Sequence, residues 1–217
     1  MLLKIKDFST MIFDCEGVSL DSNQVKTEAF RKTLAKYKKA NVDKFINYHI
    51  NNGGISRYKK FEHFFLEIEK KDPLQFLDNT LSDFSEHVIG GLLSCDINPA
   101  LKILKETYPL QKWAVASGGD QEELREVFYK RSIDKYFDLG IYGSPAPKEE
   151  LVKRILRKTN DERSKILFIG DSKYDFEVAK DFELKFLFVE EWSEYGEWGI
   201  HKGEKNFFHT FELSSIK

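Results

Sequence analysis

Short apolar runs that end on small or polar residues recur along the chain. Three of these runs are residues 11–13, 113–116 and 166–169. Runs of this length without polar alternation are typical of parallel strands that are buried on both faces of a sheet. Residues 185–189 predict the next strand, and residues 207–213 predict a last short element.

Helical patterns lie between the second and third of these runs. Residues 121–130 are amphipathic, and residues 148–158 place apolar side chains at helical spacing: Leu151, Val152, Ile155 and Leu156. Strands that alternate with helices favour right-handed crossover connections and a layered α/β structure. The fold class predicted is therefore α/β, with a Rossmann-like parallel sheet flanked by helices.

Residues 19–93 have a different pattern from the rest of the chain. Strand-like runs are scarce there, and apolar residues recur at helical spacing, as in Phe61, Phe64, Phe65 and Ile68. We expect an all-helical insertion in the α/β fold. The predicted domains are an α/β core of residues 1–18 and 94–217 and a helical cap of residues 19–93.

Polar side chains follow the predicted strands. In an open parallel sheet, ligands bind beyond the carboxyl ends of the strands. The residues expected at that edge are Asp14, Glu16, Ser117, Asp171 and Ser172. Clustered carboxylates repel one another unless a cation neutralises them, and Mg²⁺ suits a site of carboxylate and carbonyl oxygens. The sequence therefore predicts a magnesium site.

Composition narrows the range of partners and locations. The 217 residues include 34 basic and 36 acidic residues, so a net charge of −2 does not suggest nucleic acid as a partner. No apolar run is long enough to span a membrane, and the N-terminal MLLKIKDFSTMIF does not resemble a signal peptide. We expect a cytoplasmic protein with packed thiols at Cys15 and Cys95. The oligomeric state is left open.

Four sequence blocks, taken in order, carry a resemblance to a known family. They are FDCEGVSLDS, VASGG, GSPAPKEELV and IGDSKYD. In order and spacing the chain resembles the phosphohydrolases of the haloacid dehalogenase superfamily that carry a helical C1-type cap after the first block. The resemblance implies Mg²⁺-dependent hydrolysis of a small phosphorylated metabolite.

The resemblance assigns the chemistry of the first block. Asp14 would attack phosphorus and form an aspartyl phosphate. Glu16 stands where phosphatases of the family usually carry a second aspartate, which protonates the leaving oxygen and later activates water. Glutamate is longer by about 1.5 Å, and a misplacement of about 1 Å can cost on the order of 100-fold in rate. Working and impaired acid/base catalysis both stay open.

The other blocks supply phosphate and metal contacts by the same resemblance. Ser117 and the amide of Gly118 would bind the phosphoryl oxygens, and Lys148 would offset the negative charge of the nucleophile and the phosphoryl group. Asp171 would bind magnesium. Asp175 would act on the metal directly, through water, or by holding Lys148. Asp14 and the backbone carbonyl of Glu16 complete the implied metal ligands.

The cap sequence bears on the substrate. Arg57 in NNGGISRYKKF is a candidate anchor for an anionic or hydroxyl-rich substrate, because guanidinium groups match such groups. This stretch resembles family members associated with bacterial surface (capsular) polysaccharide synthesis, which implies a phosphorylated sugar or sugar precursor. The alternatives are a catalytically impaired protein that binds a phosphorylated ligand, and a phosphomutase, which would also hold a second phosphate from the cap.

Overall fold

The computed structural model describes residues 3–216. Within this range six strands form one parallel sheet in the order β3-β2-β1-β4-β5-β6. The strands are β1 (Thr10–Phe13), β2 (Lys112–Asp120), β3 (Gly140–Ser144), β4 (Ile166–Gly170), β5 (Lys185–Val189) and β6 (Phe207–Thr210). This is the strand order of a doubly wound Rossmann sheet, and it confirms the predicted fold class.

Helices connect the strands. They are α1 (Asn23–Thr33), α2 (Lys39–Asn51), α3 (Arg57–His63), α4 (Leu77–Ser94), α5 (Ala100–Thr107), α6 (Gln121–Lys130), α7 (Lys148–Lys158) and α8 (Lys173–Asp181). A π-helical turn, Phe64–Glu69, continues α3. The predicted helices at 121–130 and 148–158 have the observed bounds of α6 and α7. No helix in the described part of the chain combines the length and the apolar character needed to cross a bilayer.

Alternate residues of the central strands face opposite layers. Along β1, Met11 and Phe13 belong to one hydrophobic cluster, which includes residues of α5 and α6, whereas Ile12 belongs to a second cluster with residues of α7 and α8. The strand is fully buried, because both of its faces are covered by helices. This double coverage explains the continuous apolar runs in the sequence.

One strand was not predicted from the sequence. β3 contains two glycines, Gly140 and Gly143, and only Ile141 and Tyr142 are large apolar residues. Its strand conformation is stabilised by pairing with β2. In this pair Val115 of β2 lies opposite Ile141 of β3. Local pattern is weak in this segment, so its strand conformation depends on a neighbour that is distant in sequence.

Helices α1 to α4 form a helical insertion, which lies between β1 and β2 in the order of the chain. Its interior is aromatic: the ring of Phe61 lies 5.2 Å from that of Phe30, 5.6 Å from that of Phe84 and 6.0 Å from that of Phe45. All four rings are buried and belong to the same hydrophobic cluster as Phe13 of β1. The division into a core and a cap domain at residues 18 and 93 stays a prediction.

We expect Phe61→Ala to destabilise the protein by about 3–5 kcal/mol, because it opens a cavity among rings that cannot collapse to fill it. Urea denaturation followed by circular dichroism measures this difference. The matched control is Leu74→Ala, at a side chain that is 87% exposed, for which a change below about 0.5 kcal/mol is expected. Equal effects of the two substitutions would contradict an insertion held together by its aromatic interior.

Candidate active site

Two acidic residues meet where the strand order of the sheet reverses. Asp14 follows β1 and Asp171 follows β4, and these neighbouring strands pair with Phe13 opposite Ile169. The backbone N–H of Asp14 continues the ladder by donating to the Ile169 carbonyl over 2.9 Å. The connections leave β1 and β4 in opposite directions along the sheet, which opens a crevice at their carboxyl ends. Both acids line this crevice.

The carboxylate of Asp14 is held by one of its two oxygens. Its Oδ1 accepts a hydrogen bond of 2.8 Å from the Cys15 N–H and lies 3.1 Å from the Lys148 ammonium. Its Oδ2 has no hydrogen-bond partner within residues 3–216. Asp14 is only 1% exposed, and burial, together with the charge of Asp175, raises its pKa well above the ordinary value. Ionisation of Asp14 therefore needs more positive charge than Lys148 supplies.

Lys148 joins two carboxylates at the start of α7. Its ammonium donates to Asp175 Oδ1 and faces Asp14. Burial alone would lower the pKa of Lys148, but the charges of Asp14 and Asp175 outweigh burial and raise it. The other oxygen of Asp175 accepts hydrogen bonds from the Ser172 N–H at 3.1 Å and the Ser172 hydroxyl at 2.6 Å. Both oxygens of Asp175 are thus used within the protein, an arrangement that holds Lys148 in place.

Glu16 spans the sheet and the helical insertion. One carboxylate oxygen accepts a hydrogen bond of 2.9 Å from the Ser117 hydroxyl, and the other lies 2.5 Å from the Lys26 ammonium on α1. Burial opposes ionisation of Glu16, but the charge of Lys26 and the hydrogen bonds from Lys26 and Ser117 outweigh it and lower the pKa. Glu16 is therefore an ionised carboxylate with a defined position.

Asp171 is fixed from two sides. Its Oδ2 accepts a hydrogen bond of 2.9 Å from the Asn23 amide at the start of α1, and its carbonyl accepts one of 2.5 Å from Ser193. The loop after β1 passes so close that a Cβ at Gly17, which has φ +70°, would lie 2.0 Å from Asp171 Oδ2. Only glycine fits there. Burial and the charge of Asp175 raise the pKa of Asp171 to about 8.

The residues at this edge fit a divalent cation. Carboxylate oxygens of Asp14, Asp171 and Asp175 lie within 4.8 Å of one another. The four buried carboxylates of the site are those of Asp14, Glu16, Asp171 and Asp175. When all four are ionised, they meet two ammonium groups among the described residues, Lys26 and Lys148, which leaves a deficit of two positive charges. Oxygen ligands and a deficit of two charges suit Mg²⁺.

Ser117 and Gly118 lie in the last part of β2, where the strand passes the site. The Ser117 hydroxyl accepts a hydrogen bond of 2.9 Å from the Gly119 N–H while it donates to Glu16. A Cβ at Gly118 would lie 2.3 Å from the carbonyl oxygen of Gly54. The loop between α2 and α3 therefore rests directly on β2 and covers the site.

Arg57 lies apart from the other predicted site residues. Its guanidinium forms a two-pronged ion pair with Glu123 of α6, with distances of 2.7 and 2.5 Å, and lies 4.5 Å from the ring of Phe84. It does not line the crevice. The neighbouring Tyr58 donates to Asp120 over 2.8 Å. These contacts fasten α3 to α6, and they leave the predicted role of Arg57 as a substrate anchor without support.

Three residues at the site were not singled out from the sequence: Asn23, Lys26 and Glu194. Asn23 and Lys26 are three residues apart on α1, so they share a helix face. Glu194 lines the crevice and accepts a hydrogen bond of 2.9 Å from Gln24. Their partners lie elsewhere in the chain: Asp171 for Asn23, Glu16 for Lys26 and Gln24 for Glu194. The only local signal was the run of polar residues that opens α1.

Without divalent cations, we expect the Asp171 proton to stabilise the protein at low pH. Between the ordinary pKa of 3.8 and about 8, the folded state holds a proton that the unfolded chain has released. This stabilisation is complete below about pH 4 and is lost as pH rises through about 8. In EDTA at about pH 9, Asp171→Asn should therefore melt higher than wild type, by about 2–4 °C per kcal/mol.

Thermal denaturation in EDTA at about pH 5 and about pH 9 measures the Asp171→Asn effect. The control is Asp83→Asn, on the 46%-exposed side chain of an α4 residue, whose difference from wild type should be the same at both pH values. If the difference in melting temperature between Asp171→Asn and wild type does not increase from about pH 5 to about pH 9, the raised pKa of Asp171 is contradicted.

Comparisons with known proteins agree with this geometry. A "Phosphorylated carbohydrates phosphatase" of Thermotoga maritima is 24% identical over 184 residues, which cover 82% of this chain and 83% of that protein. Similar folds occur in CbbY of Rhodobacter sphaeroides with bound xylulose-1,5-bisphosphate (TM-score 0.73, 14% identity, 96% of each chain). Another is β-phosphoglucomutase of Clostridium difficile (TM-score 0.72, 16% identity, 97% of this chain and 93% of that chain). The haloacid dehalogenase-like hydrolase family matches residues 11–189, and this chain belongs to that family.

Proposed function

We propose that this protein is a Mg²⁺-dependent phosphatase that hydrolyses a small phosphomonoester through an aspartyl phosphate on Asp14. The observation that carries the proposal is the state of the Asp14 carboxylate. Its Oδ1 is held by Cys15 and Lys148, and its Oδ2 has no protein partner in the described chain and borders a crevice. An oriented carboxylate with one open oxygen suits a nucleophile.

Hydrogen-bond donors around Asp14 would bind the phosphoryl group. The Gly118 N–H and the Lys148 ammonium would bind its oxygens and offset the charge that builds up at phosphorus. The Ser117 hydroxyl, which donates to Glu16 in the free protein, would join them by turning its proton to a phosphoryl oxygen. Magnesium, held by Asp14, Asp171 and the Glu16 carbonyl, would supply further positive charge to the phosphoryl oxygens. The contacts of Asp175 support a role in holding Lys148 rather than in direct ligation.

Two displacements account for the hydrolysis. In the first, Asp14 Oδ2 bonds to phosphorus, the bond from phosphorus to the leaving oxygen breaks, and that oxygen takes a proton from Glu16. Glu16 is ionised beside Lys26 in the free protein, so it has to take up this proton when the phosphomonoester binds. In the second, Glu16 takes a proton from water, the water oxygen bonds to phosphorus, and the bond from phosphorus to Asp14 breaks. Inorganic phosphate leaves, and the Asp14 carboxylate and the Glu16 proton are restored.

The helical insertion would support this chemistry by covering the site and by holding Glu16. The loop that carries Gly54 lies against Gly118, and the α3 contacts with α6 hold it there. Cover of this kind excludes bulk water from the reacting groups. Lys26 on α1 holds Glu16 at the same time, so the insertion also orients the acid/base.

A phosphorylated sugar or sugar precursor is the proposed substrate. The support is the Thermotoga maritima relative, which is named for phosphorylated carbohydrates, and the stretch NNGGISRYKKF, which resembles members associated with surface polysaccharide synthesis. We place the protein in that biosynthesis, in the cytoplasm, where phosphorylated sugar precursors are made.

Neither alternative function gains support from the geometry. A phosphomutase needs a cation for a second phosphate, and Arg57, the candidate for that role, is paired with Glu123. The catalytically silent alternative rests on the extra length of Glu16, and the carboxylate of Glu16 is nevertheless held by both Ser117 and Lys26. Hydrolysis is the reaction that these contacts favour.

We expect Asp14→Asn to lower phosphate release by on the order of 1,000-fold or more, because the neutral amide oxygen cannot replace the carboxylate nucleophile. EDTA should abolish the activity of the wild type, and added Mg²⁺ should restore it. Phosphate release from a panel of sugar phosphates measures both effects. Asp21→Asn, in the same loop but outside the crevice, is the control and should keep wild-type activity. Equal rates for Asp14→Asn and wild type would reject the proposed nucleophile.

Glu16→Asp separates working from impaired acid/base catalysis. Aspartate is shorter by about 1.5 Å and cannot reach both Ser117 and Lys26, so we expect kcat to fall by about 10- to 100-fold. Steady-state kinetics on the best substrate of the panel, with Asp21→Asn again as control, gives the answer. A rise in kcat would mean that glutamate at this position impairs the enzyme.

A further inference from the structure

The crevice extends from Asp14 into a small cavity between the helical insertion and the sheet. Its volume is about 150 Å³, below the ~300–1,000 Å³ of pockets for drug-sized ligands. If the proposed function holds, the phosphoryl group lies at the Asp14 end, and the leaving alcohol occupies the rest. The residues in that remainder therefore determine which alcohols bind.

Neutral polar groups make up much of the lining around the leaving alcohol. They are Asn51, Asn52, Gly53, Tyr174 and Tyr195. The hydroxyls of Tyr174 and Tyr195 pair with Glu149 and His201, and the Asn52 amide nitrogen donates to the Tyr48 carbonyl. The Asn51 amide and the Asn52 amide oxygen remain to pair with the hydroxyl groups of a polyol. An alcohol with several hydroxyl groups is therefore the chemical match for this part of the cavity.

Charged groups in the same part of the lining are acidic or already paired. Glu194 is half-buried; its Oε1 accepts a hydrogen bond from Gln24, and its Oε2 has no hydrogen-bond partner within the described residues. Among the described residues that line the cavity, Lys173 is the one cation. Its ammonium lies 3.5 Å from the carboxylate of Glu177, which also lines the cavity. The Lys173–Glu177 pair contributes no net positive charge. The carboxylate of Glu194 therefore makes the electrostatic potential in this part of the cavity negative.

Two further ammonium groups lie near the cavity but are engaged elsewhere. Lys26 pairs with Glu16 at 2.5 Å. Lys60 is 3% exposed and donates to the neutral His49 over 2.7 Å. Burial lowers the pKa of Lys60 to about 7, so near neutral pH it carries only part of a positive charge and offsets the charge of Glu194 only in part. Neither lines the cavity. A second phosphate or a carboxylate on the leaving alcohol would thus meet Glu194, and the described lining offers it no unpaired cation.

We infer that the leaving alcohol is an uncharged or amine-bearing polyol without a second anionic group, and that Glu194 is a specificity residue that rejects anionic alcohols. Rejection follows from the repulsion between the Glu194 carboxylate and an anion in a small, partly desolvated space. An amine on the substrate would instead be attracted. The inference rests on the proposed function, and it distinguishes a monophosphate hydrolase from enzymes that hold bisphosphates.

Equilibrium binding tests this inference without turnover. In the Asp14→Asn protein with Mg²⁺, isothermal titration calorimetry compares a hexose 6-phosphate, the 2-amino-2-deoxyhexose 6-phosphate and the hexose 1,6-bisphosphate. We expect the bisphosphate to bind at least about fivefold more weakly than the hexose monophosphate, and the amino sugar at least as tightly. The difference should shrink at high salt.

A second substitution in the Asp14→Asn protein isolates Glu194. Glu194→Gln keeps the size of the side chain and removes its charge, so the preference for the monophosphate over the bisphosphate should fall by about three- to tenfold. Glu197→Gln is the matched control, because Glu197 is an exposed acid in the same loop and lies outside the cavity lining. It should leave the preference unchanged.

The outcomes separate the two proposals. Equal or tighter binding of the bisphosphate overturns the inference and leaves the phosphatase proposal standing. If Glu194→Gln does not reduce the preference for the monophosphate over the bisphosphate, the proposed role of Glu194 is overturned. If none of the three esters binds while Mg²⁺ is present, the proposed function fails and the inference fails with it.

Discussion

The main physical constraint on this structure is the burial of several carboxyl groups where β1 and β4 end side by side. Carboxylates that are removed from water are costly unless cations and hydrogen bonds compensate them. Lys148 bridges Asp14 and Asp175, and Ser172 satisfies the second oxygen of Asp175. The remaining deficit of positive charge fits this edge of the sheet to a divalent cation. Stability and proposed catalysis therefore depend on the same groups.

The helical insertion supplies contacts to the proposed catalytic groups as well as covering the site. Its first helix carries Asn23, which donates to Asp171, and Lys26, which pairs with Glu16. Glutamate in place of the shorter aspartate then has a physical reason, since its carboxylate reaches Ser117 on β2 and Lys26 on α1 together. The proposed nucleophile belongs to the sheet, and the groups that orient the proposed acid/base are divided between the sheet and the insertion.

The balance of charge around the cavity also separates the substrate classes considered from the sequence. The guanidinium of Arg57 has the right chemistry for a phosphate, but the carboxylate of Glu123 satisfies it in a two-pronged pair. Glu194 adds a negative charge on the side of the leaving alcohol. The same residue types that would suit a bisphosphate are present in the chain, yet their pairing favours a singly phosphorylated polyol.

The sequence by itself determined the α/β class, the helical insertion, most strands and the convergence of Asp14 and Asp171, because apolar runs and strand-end acids are local patterns with one geometric consequence in a parallel sheet. Tertiary structure alone decided the rest. β3 is a strand through its pairing with β2, and Arg57, Lys26 and Glu194 owe their roles to partners distant in the chain. A side chain's charge is local, but which opposite charge it meets is set by packing, which no local pattern records.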